Sequence, residues 1–215
     1  MKIRYCLFGS VPALAGILLM IFIAVDTLII ESSFFDTTNK KYGVAQDLLM
    51  SEEDLEKATA AMMGYVEGKL PDAQVSVVVD GERTEFFTEK ELVHLVDVRE
   101  LIRSFKIFRN LCIILVILGT LFFIWKKKIG EFCVGVWISW GILLILTIVV
   151  AAFAVTDIDL VINGFHEIFF TNDLWVLNFS LHRSLWLFQD QMYADVLRYI
   201  AGIMGAIFAV TMVGL

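Results

Sequence analysis

Residues 107–128 read IFRNLCIILVILGTLFFIWKKK: an apolar run from Ile107 to Trp125 that closes on Lys126, Lys127 and Lys128. Its length is close to the ~20 residues an α-helix needs to cross a ~30 Å hydrocarbon core, so it predicts a membrane-spanning helix. Three further runs have the same character: Tyr5 to Ile30, Phe132 to Val155 and Val196 to Leu215. Hydrophobic residues make up 59% of the chain and the mean hydropathy is +0.78. Soluble domains carry roughly 45 to 50% apolar residues, so water is excluded as the solvent for most of this chain. The fold class expected is an α-helical integral membrane protein with about four transmembrane helices.

The lysines after Trp125 also set the expected orientation. Short loops rich in Lys and Arg stay on the cytoplasmic side, which places the Lys126–Lys128 turn there, along with Lys2 and Arg4 ahead of the first run. The small residues Ala13, Ala15 and Gly16 fall too early for signal cleavage and the apolar run continues to Ile30, so the first span is read as uncleaved. Cys6 has no lipobox-like context ahead of it, so the chain is not read as a lipoprotein itself. The expected organisation is then a first transmembrane helix over 1–30 and an extracytoplasmic subdomain over 31–106. Two transmembrane helices with a short cytoplasmic turn follow over 107–156, then an extracytoplasmic loop over 157–195 and a fourth transmembrane helix over 196–215. Arg99, Arg103, Lys106 and Arg109 sit at the outer end of the second span, against the trend of the rule, and Arg109 can snorkel.

Working outward into 31–106, local signals are readable. Ser51 and Asp54 have capping-box spacing and start a helix that ends near Gly68. Val75, Val77 and Val79 alternate ahead of Asp80-Gly81, the favoured type I′ pair, and Thr84 to Phe87 supplies a returning strand, which predicts a β-hairpin. The subdomain is therefore expected to be a small α+β unit. Thr88 and Glu91 repeat the capping-box spacing and start an amphipathic helix that runs into the second span as one rod. On that helix His94, Asp97 and Leu101 share one face, while Arg99, Arg103 and Lys106 share another.

Chemistry has few places to reside. Cys6, Cys112 and Cys133 all lie in or beside apolar runs, which argues against a disulfide framework or a thiolate metal site. No HExxH spacing, GxSxG elbow, phosphate loop or dinucleotide fingerprint occurs, so no metal, nucleotide or other cofactor is expected, and no nucleic acid partner. The three histidines, His94, His166 and His182, all fall outside the spans near the expected outer interface. Histidine titrates near neutral pH and is the usual general acid or base. Asp97, one turn after His94, can accept its Nδ1 proton and leave Nε2 toward a substrate, or it forms a surface pair only. Around His166, the polar residues Glu167, Asn172 and Asp173 interrupt an aromatic stretch, Phe165 to Trp175, and beside lipid they must be hydrated or paired.

The order of spans, the segment Glu91-Leu92-Val93-His94-Leu95-Val96-Asp97-Val98-Arg99-Glu100-Leu101 and the stretch Phe165-His166-Glu167-Ile168-Phe169-Phe170-Thr171-Asn172-Asp173-Leu174-Trp175 resemble one family. It is the lipoprotein intramolecular transacylases of low-GC Gram-positive bacteria, and the resemblance covers essentially the whole chain. The family's pattern places a histidine before Asp-Val-basic, and Phe-His-x-Ile-Phe-Phe-x-Asn-Asp-x-Trp after the third span. Its later Asn-Pro and Phe-Pro-Glu block is altered here to Asn178-Phe179 and Phe188-Gln189-Asp190, with His182 where an aspartate is expected, so His182 inherits no catalytic role. The resemblance implies a bacterial membrane enzyme whose substrates are S-diacylglyceryl-cysteine lipoproteins held in membrane lipid. It moves the sn-2 acyl chain to the cysteine α-amino group and leaves a lyso-form lipoprotein, with the site at the extracytoplasmic interface.

On that basis His94, oriented by Asp97, is expected to deprotonate the amine, and His166 to stabilise the oxyanion or protonate the leaving oxygen, with the two roles interchangeable. Asn172 is expected to support the oxyanion and Asp173 to orient His166 or bind the ammonium. Glu167, Arg99 and Arg103 complete the candidate substrate-binding or supporting set. Two other readings of the same residues are a metal-dependent outer-face hydrolase and a noncatalytic membrane sensor or assembly protein.

Overall fold

The computed structural model describes residues 2–30 and 32–213. Helix α1 (Lys2–Ile30) is followed by α2 (Ser32–Tyr42), α3 (Val44–Asp47) and α4 (Glu52–Glu67). Strands β1 (Ser76–Val79) and β2 (Glu82–Glu85) come next, then α5 (Glu89–Trp125), α6 (Ile129–Thr156), α7 (Ile158–Phe169), a 3-10 helix (Arg183–Phe188) and α8 (Asp190–Val213). Among the described residues, four helices contain stretches long and apolar enough to cross a membrane: Phe8–Thr27, Glu89–Trp125 by its apolar part, Ile129–Val150 and Gln191–Val210. The chain is a multi-pass membrane protein, as its composition requires.

The structure divides into two compact units. The first comprises residues 2–24, 104–165 and 200–213. In it α1 and α6 approach closely. A Cβ built on Gly135 would lie 2.4 Å from the carbonyl carbon of Gly9 and 2.7 Å from the backbone nitrogen of Ser10. Small residues allow such backbone approach, the main source of helix association where lipid removes the hydrophobic drive between helices. Ser139, one turn further along α6, donates to the carbonyls of Gly135 at 2.9 Å and Ser10 at 3.3 Å. Gly119 on α5 leaves similar room for Pro12, whose Cβ a glycine substituent would meet at 2.4 Å. Gly135→Ala is expected to destabilise the protein in detergent by ~1 to 3 kcal/mol, the usual cost of overpacking. Gly141→Ala, where the added Cβ meets nothing within 4 Å, should be close to neutral. Parallel thermal unfolding of the two variants checks the contrast, and equal melting points would contradict it.

The second unit comprises 25–103 and 166–199. Helix α4 starts at Ser51, whose Oγ accepts the Asp54 N–H at 3.1 Å, and stops at Gly68 with φ +90°. The Asp54 carboxylate does not close the capping box on Ser51. It accepts the Val78 N–H at 3.1 Å, which ties the helix to the hairpin and holds the carboxyl below its usual range. Asp80 and Gly81 both have positive φ, 51° and 80°, as a type I′ turn demands, and β1 pairs with β2 from Ser76–Glu85 to Val79–Glu82. Phe86 and Phe87 follow β2, are buried and meet edge to face at 4.8 Å. Together with Leu55, Ala58, Met62 and Val77 they form the apolar centre of this unit.

Three segments carry structure that local signals did not assign. Residues 32–47 form α2 and α3 ahead of the helix expected at Ser51. The segment 157–195, expected as a loop, contains α7 and the 3-10 helix, and α8 begins at Asp190, ahead of the expected 196. Asp157 starts α7 by accepting the Leu160 N–H at 3.1 Å.

Candidate active site

The second unit holds two of the histidines side by side. His94 lies in the second turn of α5, ahead of the apolar run that begins at Ile107. That helix begins with a complete capping box: the Thr88 N–H donates to Glu91 Oε2 at 2.6 Å and the Glu91 N–H to Thr88 Oγ1 at 3.4 Å. His166 lies in the last turn of α7. The two imidazole centroids are 6.0 Å apart. Phe170, buried, stands against both, at 5.2 Å from His94 and 5.5 Å from His166. Trp175 stacks on His166 at 4.8 Å with the ring planes 23° apart.

The segment after α7 is held against the start of α5 at several points. Asn172 Oδ1 accepts the Leu174 N–H at 3.0 Å, an Asx turn, and its Nδ2 donates to Asp97 Oδ2 at 3.0 Å. Lys90 Nζ donates to the Val176 carbonyl at 2.5 Å, and the Ser184 N–H donates to Glu91 Oε1 at 2.8 Å. Residues 170–184 thereby deliver Phe170, Asn172 and Trp175 to the helix that carries His94.

One expected bond is absent. The spacing allows either a bond from Nδ1 of His94 to Asp97 or a surface pair only; in the structure Asp97 Oδ2 accepts from Asn172, and Nδ1 of His94 is buried without a hydrogen-bond partner. The i, i+3 spacing permits the His–Asp contact, but the hydrogen bond the Asp97 carboxylate makes is to Asn172, from a distant loop. Glu167 and Asp173 are exposed. Arg99 lies over the Tyr65 ring, 4.7 Å from its centroid, beside the C-terminal end of α4, and Arg103 is largely exposed with Glu100 at 3.6 Å. Neither arginine is brought to the histidine pair by any of these contacts. His182 accepts the Asn178 N–H on Nδ1 at 3.0 Å and is part of a turn. Phe170 and Trp175 are the site residues missing from the sequence-based set, because an aromatic stretch beside a span has the signature of an interfacial belt.

Burial pushes the His94 imidazole down to about 4, helped by its electrostatic interactions with His166 and Lys90 and opposed by that with Asp97. Desolvation penalises the imidazolium, so His94 is neutral at neutral pH. Folded His94 binds its proton less tightly than an ordinary histidine at 6.5, so the unfolded chain is protonated first as pH falls. The corresponding stability is complete above about 6.5 and is lost progressively toward about 4. Chemical unfolding should therefore show wild type losing more stability than His94→Gln between about pH 7 and about pH 4.5. Equal losses would assign the pH dependence to other groups.

Among the described residues no group of three or more His, Cys, Asp or Glu side chains converges as metal ligands would. The model of the family described as lipoprotein intramolecular transacylase Lit matches residues 11–193. No curated protein matches the chain. Among solved structures, the membrane-integral lipoprotein intramolecular transacylase Lit of Bacillus cereus is similar with a TM-score of 0.74 at 13% identity. The match covers 99% of this chain and 94% of that one. A histidine-to-alanine variant of the Bacillus cereus protein gives 0.72 at 13% identity, covering 99% of this chain and 91% of that one. At that identity the structures establish the shared fold, and the family model establishes the relationship. The chain, matched by that model over most of its length, belongs to the lipoprotein intramolecular transacylase family and is a membrane acyltransferase.

Proposed function

We propose that this protein moves the sn-2 acyl chain of an S-diacylglyceryl-cysteine lipoprotein to the α-amino group of the same cysteine, using His94 and His166 for proton transfer and charge stabilisation. The observation that carries the reading is the histidine pair, 6.0 Å between centroids and framed by Phe170 and Trp175. In the reaction a C–N bond forms at the ester carbonyl, the C–O bond to glycerol breaks, and the amine proton ends on the glyceryl oxygen. One acceptor and one donor are required, and two neighbouring imidazoles supply them. Exchange of an ester for an amide runs downhill, so no nucleotide is needed. Both reacting groups belong to one molecule, and holding amine and carbonyl in contact can remove several kcal/mol of the barrier, with ~7 to 11 kcal/mol as the ceiling for ideal orientation. A covalent enzyme intermediate is not required.

Aromatic side chains around the pair suit an acyl chain and exclude water, which strengthens hydrogen bonds to developing charge. The positive-inside argument puts this site on the outer face, where the lipoprotein's lipid and amine reside. Asn172 and Asp97 hold the loop against α5, and Asn172 has a second amide hydrogen for the substrate. Asp97→Asn should weaken the loop contact and lower turnover more than it raises KM. The proposal is tested with a synthetic diacylglyceryl-cysteine peptide labelled in the sn-2 acyl chain, incubated with the purified protein and analysed by mass spectrometry. Label on the α-nitrogen supports it. Label retained on glycerol, or released as free fatty acid, refutes it.

A further inference from the structure

Residues 174–182 read LWVLNFSLH and contain no Asp, Glu, Lys or Arg, in a chain that is 19% charged overall. Turns at a protein surface are normally built from polar residues whose side chains meet water at the tip. Here the polarity is reversed. Asn178 Oδ1 accepts the Ser180 N–H at 2.8 Å and the Ser180 hydroxyl at 2.7 Å, and the Asn178 N–H donates to Nδ1 of His182 at 3.0 Å. The Asn178 carbonyl accepts the N–H groups of Leu181 and His182 at 3.0 and 2.9 Å. The polar side chains of the turn bond to one another or to its backbone, while the apolar ones are offered outward: Phe179 is 51% and Leu181 68% exposed. Leu187, a few residues on, is completely buried, so the exposure at the tip is not for want of a core to reach.

A single exposed leucine needs no explanation in a soluble protein. The surroundings of this turn are different. It belongs to a multi-pass membrane protein, and the stretch Gln191–Val210, long and apolar enough to cross a bilayer, begins soon after it. Trp186 packs edge to face on Phe179 at 5.6 Å and donates its Nε1–H to the Phe179 carbonyl at 3.1 Å. An apolar indole body with one polar bond suits the boundary between lipid and water. Arg183, the charge nearest to the turn in sequence, donates to the Glu85 carbonyl at 3.1 Å. Within hydrocarbon, backbone polar groups must be satisfied internally, and the N–H groups of Asn178, Ser180, Leu181 and His182 all have partners inside the turn. So short a segment cannot cross a ~30 Å core; it can enter one leaflet only.

We propose that the turn formed by residues 178–182 is a lipid-binding finger, with Phe179 and Leu181 among the acyl chains of the adjoining phospholipid leaflet and Trp186 at the boundary with water. The partner is the phospholipid bilayer itself, and the proposal stands independently of the acyl-transfer chemistry. Its consequence concerns the setting of the site. The same segment carries Phe170 and Trp175 to the histidine pair, so fastening its tip in lipid holds that frame at the membrane surface.

The test is photocrosslinking of the full-length protein in nanodiscs of dioleoylphosphatidylglycerol. The photoreactive residue p-benzoylphenylalanine replaces Phe179, Leu181 or, for comparison, the exposed Glu82 of β2. Its excited ketone inserts into nearby C–H bonds: the ketone carbon bonds to the lipid carbon and the hydrogen passes to the ketone oxygen. Peptides carrying position 179 or 181 should gain the mass of one phospholipid, and the peptide carrying position 82 should not. Lipid adduct no greater than at position 82 overturns the proposal. So does a crosslink to a second copy of the chain in place of lipid. A second arm moves the turn rather than the probe. A carboxylate is costly in hydrocarbon, so Leu181→Asp should abolish the adduct formed at position 179, while Leu181→Ile should retain it. Equal yields from these two variants would mean that the turn does not insert, and would overturn the proposal as well.

Discussion

Alanine at His94 or at His166 is expected to lower formation of N-acylated lyso-lipoprotein by ~10²- to 10⁴-fold, the range usual for a positioned general acid or base. A histidine of the pair that stabilises the oxyanion carries a similar expectation, ~10² to 10³. The double variant should be little worse than the slower single one, because groups that act in one step are not additive. Residual turnover then measures what remains when the pair is gone, the holding of amine and ester together by the aromatic frame. Neither change should unfold the protein. His94 and His166 are each only part-buried, and no hydrogen bond is lost from the buried Nδ1 of His94. Single-turnover mass spectrometry on folded protein gives the comparison directly. If both alanine variants make product at the wild-type rate, the histidines are not the catalytic groups.

The spans were legible in the sequence because the bilayer imposes a length on any helix that crosses it, and four runs meet that length. The hairpin, the Ser51 N-cap and the Thr88/Glu91 capping box were legible because their determinants are local: Asp80-Gly81 with positive φ, Ser51 ahead of α4, Thr88 and Glu91 at the start of α5. What escaped depends on partners far along the chain. Helix α2 is polar by composition, yet Phe35 is buried against Phe188 at 6.1 Å, and Lys41 and Tyr42 both reach Asp195, at 2.6 and 2.8 Å. In α7, Ile158, Val161, Ile162, Phe165 and Phe169 share one face and Asp159, Asn163 and His166 another. That helical period was hidden by the aromatics that come after it.

The histidine pair was legible as chemistry without being legible as geometry. His94 and Asp97 are near neighbours on one helix, so their spacing suggested a bond. Asn172 comes from 75 residues away, and no local signal announces that it donates to the Asp97 carboxylate. The same reasoning covers Arg99, which spacing grouped with Arg103 and Lys106 and which the structure sets on Tyr65. Local pattern identifies faces; only the long-range fold decides which face meets which.

Glu91→Ala is expected to destabilise the protein by ~3 to 6 kcal/mol, from the loss of two charge-assisted hydrogen bonds at ~1.5 to 3 kcal/mol each. The carboxylate is 1% exposed and has one bond on each oxygen, from the Thr88 N–H and from the Ser184 N–H. Its removal affects the two donors differently. The Thr88 N–H opens the helix and can be rehydrated, so its share lies at the low end. Ser184 is buried, and its N–H would be left without an acceptor, so its share lies at the high end. Glutamine keeps one carbonyl acceptor but turns an NH₂ toward a donor, so Glu91→Gln should cost about half as much. Because Glu91 precedes His94 by one helical turn and anchors the segment that carries Asn172 and Trp175, catalysis should suffer in Glu91→Gln even where the protein remains folded. Chemical unfolding in detergent, with turnover measured on the folded fraction, separates the two effects. A Glu91→Ala variant within ~1 kcal/mol of wild type, the size of an ordinary substitution, would show that this buried carboxylate is not the tie between α5 and the 3-10 helix.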